Sequence, residues 1–297
     1  MAEHVIRQRW VAQRLPARPA RAHKGTFGRV LAIAGSQEYS GAALLCGRGA
    51  ARAGAGLVCV AAPESVGLRL LGEVPEFTSL LLPEEAPGLT APGGWRRLLS
   101  ESASYDAVVI GPGLGRQPST LRRARNLISE VRTPTVVDAD ALNALAESDR
   151  WWRNVRAPLV LTPHPGEFAR LTRSDVLPDD DAARGEAARQ AALRWGQVIA
   201  LKGAHTVVAL PDGDLLRSEI ATPALSTAGT GDVLAGVIAA FLAAGLAPAD
   251  AAACGVAVHG AAGVLAEDRI GRAGVMARDV AALIPEAIEH LRGGRRS

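Results

Sequence analysis

Seven short aliphatic runs recur along the chain: "RVLAIAG" from Arg29, "GLVCVAA" from Gly56, "DAVVIG" from Asp106, "TPTVVDAD" from Thr133, "APLVLTP" from Ala157, "QVIALKG" from Gln197 and "HTVVALP" from His205. None alternates apolar with polar residues, as a strand with one wet face would. Near-continuous apolar strands are buried on both faces, which is the condition of a parallel sheet covered by helices. Helical patterns fill the intervals at Ala42 to Ala53, Thr120 to Glu130, Ala141 to Glu147 and Ala182 to Trp195. The alternation predicts right-handed βαβ units and an α/β fold of three layers, αβα, around a mostly parallel sheet. After Leu210 a short loop or hairpin leads into three helices, Thr230 to Ala244, Pro248 to Glu267 and Met276 to Leu291.

With 297 residues, 48% of them hydrophobic, the chain can bury a large core. No Pro-, Gly- or Ser-rich linker divides it and no repeat is visible, so one domain over 24–291 is expected, between an extension at 1–23 and a tail at 292–297. Leu82 to Trp95, with its prolines and glycines, reads as a surface excursion. The formal charge is only +3, and no basic stripe interleaved with aromatics marks a nucleic-acid surface. Cys46, Cys59 and Cys254 form no C-x-x-C pair and sit in apolar segments, which reads as buried free thiols. The charged start "MAEHVIRQRW" does not read as a signal peptide, and the apolar stretch Val233 to Ala247 is shorter than the roughly 20 residues of a membrane span. A soluble, cytoplasmic protein is expected.

Ligands of open α/β sheets bind beyond the carboxyl ends of the strands. Five glycine- or acid-rich turns follow strand ends here: "AGSQEYSGAA", "GPGLG", "DADALN", "TPHPGE" and "LKGAHT". A sixth, "TAGTGD", precedes a helix whose Leu234, Val237, Ile238 and Phe241 recur at helical spacing. The first turn of such a helix exposes amides and positive potential, and Gly229 and Gly231 allow close approach of a phosphate. Asp232 would repel that phosphate unless it acts as a base toward a substrate hydroxyl; the plainer role is to complement the helix terminus. The segment alone leaves both open. Lys202 in "LKGAHT" is either a surface lysine of a hairpin or a wall of an anion site. Asp138 and Asp140 could hold Mg²⁺ through water or fix a ribose, and Asp140 could equally cap a helix. His164 and Glu167 lack the companions of a zinc site; Glu167 is a candidate for water-mediated Mg²⁺ or a first-turn helix acid. His259, in "GVAVHGAAG", reads as a core histidine with its hydrogen bonds satisfied.

Taken together, "KGTFGRVLAIAGS" with "SGAALL", "GPGLG", "VVDADALN", "LTPHPGEFARL", "LKGAHTVV", "TAGTGDVLAG" and "VHGAAG" resemble, in order and spacing, the ADP-dependent NAD(P)H-hydrate dehydratases of the ribokinase-like superfamily. The resemblance runs from about Lys24 to His290, in the manner of the stand-alone form rather than the fusion to an epimerase domain. It implies a ribokinase-like fold, with Lys202, Gly203, Ala204, His205, Thr206 and Gly231 contacting an adenine nucleotide. It implies an anion hole at Gly229, Thr230, Gly231 and Asp232, with Asp232 as the base. Gly41, Ala42, Gly113, Gly115, His164 and Asp232 would line the substrate. One departure stands out: "ATPALSTAGTGD" has Ala221 and Thr222 where the family carries Gly-Asn, and Ser226 where it carries Ala.

The implied reaction is dehydration of the S-epimer of NADH hydrate or NADPH hydrate, with ADP as phosphoryl donor (ATP as an alternative), Mg²⁺, and release of AMP and phosphate. An NAD(P)H-hydrate epimerase would be its functional companion and a homotetramer its assembly. No membrane or nucleic-acid partner is expected. Two other readings use the same turns: a ribokinase-like kinase acting on a vitamin-precursor alcohol, and a non-catalytic adenine-nucleotide-binding protein.

Overall fold

The computed structural model describes residues 2–174 and 180–293; the last four residues of the tail lie outside them. Among the described residues, twelve strands and eleven α-helices follow in chain order: β1 (Glu3–Val5), α1 (Gln8–Ala12), β2 (Arg29–Ile33), α2 (Ser40–Ala53), β3 (Leu57–Pro63), α3 (Glu64–Leu71), β4 (Thr78–Leu82), β5 (Glu84–Ala86), β6 (Leu89–Thr90), α4 (Pro92–Ser102), β7 (Ala107–Ile110) and α5 (Pro118–Glu130). They continue with β8 (Thr135–Val137), α6 (Asp140–Ala146), β9 (Leu159–Leu161), α7 (Pro165–Thr172), α8 (Asp181–Trp195), β10 (Val198–Leu201), β11 (Val207–Ala209), β12 (Leu215–Arg217), α9 (Thr230–Ala243), α10 (Pro248–Ile270) and α11 (Ala277–Leu291).

Ten strands of the described residues form one sheet in the order β1-β12-β11-β10-β9-β8-β7-β2-β3-β4. Pairing is parallel from β4 through β10. The β10-β11-β12 meander is antiparallel, and β1 closes the edge parallel to β12. All seven apolar runs became strands, and the hairpin expected after Leu210 is the β11-β12 connection. The segment read as an N-terminal extension supplies β1 and α1. The three residues of β1 carry no apolar run of their own, and only the exposed edge of β12 gives them a place. The excursion at Leu82 to Trp95 contains the small β5-β6 hairpin and the start of α4.

Successive side chains of a strand point to opposite faces, and both faces are covered. Val30 and Ala32 join the core beneath α2, α9, α10 and α11, whereas Leu31 and Ile33 join the core beneath α4 to α8. Val109 and Val108, and Val160 and Leu161, divide in the same way. The two-sided burial explains why these strands carry no polar alternation. α9 lies within the first of these layers, buried along Val233 to Ala243. α10 is long and apolar enough to cross a membrane by length and composition, yet 83% of its apolar window is buried inside the fold. Cys46, Cys59 and Cys254 are all buried and free.

Register positions the site. Ile33 pairs with Ile110, Ile110 with Val137, and Val137 with Leu161, so four strands end in one row. The turns after them leave the sheet along one edge. The chain winds outward from β2 through β3 and β4, then restarts at β7 on the other side of β2 and winds through β8, β9 and β10. This reversal between β2 and β7 is the topological switch point where open sheets form their crevice. Gly35 N–H donates to Pro112 O across it (2.8 Å).

α2 and α9 cross at near backbone contact through Gly49 and Gly236. A methyl group on Gly236 would overlap the Cys46 carbonyl, and one on Gly49 would overlap the Val233 carbonyl. Both obstacles are backbone and cannot rotate away. Gly236→Ala is therefore expected to lower stability by about 1–3 kcal/mol although alanine is the better helix former. A urea midpoint equal to that of the parent protein would disprove this packing.

Candidate active site

Lys202, at the end of β10, anchors the site. Its backbone N–H donates to Pro163 O (2.9 Å), and its ammonium lies 2.8 Å from Asp138 Oδ1 and 4.0 Å from Glu167 Oε2. Asp138 is 1% exposed and Glu167 6%. Burial disfavours the charge on Lys202, but Asp138 and Glu167 outweigh it and hold its proton more tightly than usual. The reading of Lys202 as a surface side chain is excluded; "LKG" is a strand end whose lysine turns inward. Arg184 supports the next turn from below, donating to Lys202 O (2.9 Å).

Asp138 and Asp140 flank Ala139, which sits at φ +51° and ψ −121°. A non-glycine residue there is strained, and such strain gathers at functional sites. The reversal sends the two acids in different directions. Asp138 meets Lys202, and Asp140 accepts the Gly115 N–H (3.0 Å) and faces Arg116 Nε (3.3 Å). Asp140 is the first residue of α6 and caps nothing with its side chain. It instead fixes the "GPGLG" turn, in which Gly113 at φ +64° packs so closely that a methyl would lie 2.7 Å from Tyr39 O and 2.8 Å from Ala42 Cβ. Gly113 thus brings this turn against Ala42 at the start of α2, and none of Gly41, Ala42, Gly113 and Gly115 is among the residues that line the cavity beside the start of α9.

His164 is the N-cap of α7. Its Nδ1 accepts the Gly166 N–H (3.0 Å), and Glu167 Oε2 accepts the His164 N–H (2.8 Å), a reciprocal capping box. Glu167 thus serves as the first-turn helix acid. Burial raises its proton affinity, Lys202 opposes that, and Asp138 adds to it. Burial, with Lys202 and Arg170 nearby, makes the His164 ring harder to protonate. Among the described residues no group of three His, Cys, Asp or Glu side chains is arranged to hold a metal ion. Any Mg²⁺ here would therefore depend on phosphate oxygens and water for most of its ligands, which suits its coordination habits.

α9 begins at Thr230 behind Gly229, whose φ of +89° opens the turn and which supplies no side-chain cap. The Thr230 hydroxyl instead donates to Leu225 O (2.7 Å) and Thr227 O (2.9 Å), tying the loop to the helix. A methyl on Gly231 would stand 3.3 Å from Lys202 Nζ, so glycine leaves the ammonium and the first-turn amides open to one anion. Asp232, in that first turn, takes up a proton far more readily than an ordinary aspartate, its pKa pushed up to about 7. Burial is the main cause and the Asp138 charge the next; Lys202 offsets them in part, and Asp140 and Glu167 add repulsion.

A cavity of about 450 Å³ opens beside this turn, lined among others by Lys202, Gly203, Ala204, Thr206, Thr230 and Gly231. Five of the six sequence-assigned nucleotide residues therefore line one cavity. The sixth, His205, is not among the lining residues; its Nδ1 is 2.7 Å from Asp181 Oδ2. The lining also includes Ile220, Leu225, Val256 and His259, which pattern reading did not assign because they are apolar or sit inside a helix. His259 differs from its sequence expectation: it is buried, but Nε2 has no partner. Ala221 and Thr222, the divergent pair, also line the cavity. The Thr222 hydroxyl donates to Glu267 Oε2 (2.5 Å) and accepts the Ala224 N–H (3.2 Å), which staples the loop to the end of α10.

Removing the Lys202 ammonium should leave Asp138 buried without a counter-charge. Lys202→Met is expected to cost about 3–5 kcal/mol of stability in urea unfolding at neutral pH, most of it recovered when Asp138→Asn is added. Equal midpoints for parent and Lys202→Met would show that the pair does not hold the site together.

The sequence model of the NAD(P)H-hydrate dehydratase family matches residues 30–286. The chain is 38% identical to an ADP-dependent (S)-NAD(P)H-hydrate dehydratase of Xanthomonas campestris, over 95% of each chain. It is 43% identical to a bifunctional NAD(P)H-hydrate repair enzyme of Moorella thermoacetica, over 95% of this chain and 53% of that one. The chain thus spans about half the length of the bifunctional relatives it matches. Among solved structures, the ADP/ATP-dependent NAD(P)H-hydrate dehydratase of Bacillus subtilis, co-crystallised with ATP and Mg²⁺, superposes with a TM-score of 0.82 at 32% identity, over 97% of this chain and 98% of that one. A parallel sheet ending in one row of ligand turns, a lysine-lined cavity at an uncapped helix terminus and these matches agree: the chain belongs to the NAD(P)H-hydrate dehydratase family.

Proposed function

We propose that this protein dehydrates the S-epimer of NADH hydrate or NADPH hydrate, using ADP as phosphoryl donor and releasing AMP and phosphate. The observation that carries the reading is the position of Asp232. It is one residue from Gly231, which lines the nucleotide-sized cavity, and its charge is coupled to Asp138 and Asp140, the latter accepting the Gly115 N–H.

Hydroxide leaves a carbon poorly near neutral pH. Phosphorylation of the C6 hydroxyl of the hydrated ring creates a competent leaving group. In this reading Asp232, as carboxylate, takes the hydroxyl proton while the oxygen attacks the terminal phosphorus of ADP and AMP departs. The ring nitrogen lone pair then expels phosphate from C6, and loss of the C5 proton restores the dihydronicotinamide. Phosphoryl transfer demands mainly positioning and charge stabilisation. The first-turn amides of α9 and the Lys202 ammonium supply positive potential to the moving phosphoryl group. Gly203, Ala204 and Thr206 would hold the nucleotide, with His205 contributing through its backbone. Gly41, Ala42, Gly113, Gly115 and His164 would hold the hydrated dinucleotide. Mg²⁺ bound here would neutralise phosphate charge, with Glu167 reaching it through water and the phosphates completing the shell. The names of the bifunctional relatives support a functional link to a second repair activity, for which an NAD(P)H-hydrate epimerase is the expected partner.

The decisive assay incubates the protein with NADH hydrate and Mg²⁺, with ADP or ATP in parallel. Recovery of NADH absorbance with stoichiometric AMP and free phosphate in the ADP arm is expected. Phosphate retained on the organic product would make the protein a kinase, and no recovery with either nucleotide would overturn the dehydratase reading.

Asp232 must be unprotonated to accept the hydroxyl proton, and in the free protein it holds its proton up to about pH 7. The rate parameter kcat/KM should therefore rise from pH 6 to pH 8 and level off above, since this parameter reports the free enzyme's groups. Asp232→Asn should lose about 10²-fold or more in turnover and retain ADP binding. Near-parental turnover in Asp232→Asn would exclude it as the base.

A further inference from the structure

His259 lies in the middle of α10, one turn after Val256, and both line the same cavity as Lys202, Thr230 and Gly231. The residue is 6% exposed. One side of its ring bonds the Thr230 backbone in the first turn of α9, a contact that favours a proton on the ring and so runs from a ring N–H to the carbonyl. The other nitrogen, Nε2, is buried and has no hydrogen-bond partner. A ring that donates on one side and is neutral presents a bare lone pair on the other. Neutrality is secured by burial, with Lys202 adding to it; together they push protonation down to about pH 4. Nε2 is thus an unmatched acceptor on a residue that lines the cavity, its tautomer set by a helix contact, and a buried acceptor left unmatched is costly.

We propose that His259 recognises the nucleoside part of the bound nucleotide, its Nε2 accepting a hydrogen bond from an N–H or O–H group of the base or ribose. This rests on the nucleotide reading given above. The remaining wall there is largely apolar, with Ile220, Leu225, Leu234 and Val256 suited to the flat face of a base. In that setting a lone pair accepts a donor and repels a carbonyl oxygen, which makes His259 a specificity residue as well as a binding one. An amino-purine is accepted and its 6-oxo analogue disfavoured if the donor is the exocyclic amine; a deoxyribose analogue is disfavoured if the donor is a hydroxyl.

The test is calorimetric titration with ADP, inosine diphosphate, 2′-deoxy-ADP and 3′-deoxy-ADP, on the parent protein, His259→Phe and His259→Gln. The phenylalanine keeps a ring without an acceptor; the glutamine restores an acceptor at similar reach. ADP affinity should fall about 10-fold in His259→Phe, the worth of one hydrogen bond, and recover in part in His259→Gln. One of the three analogues should bind the parent about 10-fold more weakly than ADP and lose nothing further in His259→Phe. That analogue identifies the donor group. Unchanged ADP affinity in a folded His259→Phe, or losses that add independently for every analogue, would overturn the proposal. Should the variants fail to fold, equal affinity of the parent for all four nucleotides overturns it alone. A parent protein that binds none of them overturns the nucleotide reading and this inference together.

Discussion

A single ammonium–carboxylate contact, Lys202 to Asp138 at 2.8 Å, joins the ends of β10 and β8 across the intervening β9. Neither charge could stay buried alone: desolvation would neutralise one or pull it toward water. Held together, they fix the depth of the turn after β10, and Lys202 also faces Glu167, which caps α7 after β9. The same lysine lines the cavity and approaches Gly231 at the start of α9. Three strand ends and one helix terminus are thereby set around one cation. Burial, reinforced by the surplus of carboxylates over that cation, raises the proton affinity of Asp232.

The surroundings of that contact follow from two kinds of close packing. Sheet register brings the ends of β2, β7, β8 and β9 into one row, so that their turns share an edge. The glycine contacts at Gly49 and Gly236 let α9 sit against α2 at backbone distance, which presents the α9 N-terminus to that edge. Strain at Ala139 separates Asp138 and Asp140, giving one acid to the lysine and the other to the glycine wall. Each of these is a local departure from ordinary geometry that the rigid layers around it sustain.

Much of this was legible in the residues. Uninterrupted aliphatic runs required a two-sided sheet, and glycine- and acid-rich turns after them marked the ligand edge. "TAGTGD" before an apolar helix marked the anion-binding terminus. What escaped was of two kinds. α1, α3, α4, α7, β1 and β4 were not marked out by an aliphatic run or a helical pattern, and such elements gain their stability from what they pack against rather than from their own pattern. The rest of the cavity lining, Ile220, Leu225, Val256 and His259, has no chemical signature beyond ordinary apolar spacing. His259 in particular sits in an alanine- and glycine-rich helix, where a satisfied core role was the natural reading.

The sequence by itself therefore determined the fold class, the edge on which ligands bind and the residue types available there, because periodicity and turn chemistry are local properties. Only the tertiary structure decided which charges meet. Asp138 and Lys202 are 64 positions apart, and no local pattern tells a lysine that turns outward in a hairpin from one that turns inward to a buried carboxylate. The raised proton affinity of Asp232, the staple from Thr222 to Glu267 and the open acceptor on His259 have the same origin. Each depends on burial and on partners brought from distant segments, which exist only once the layers have closed.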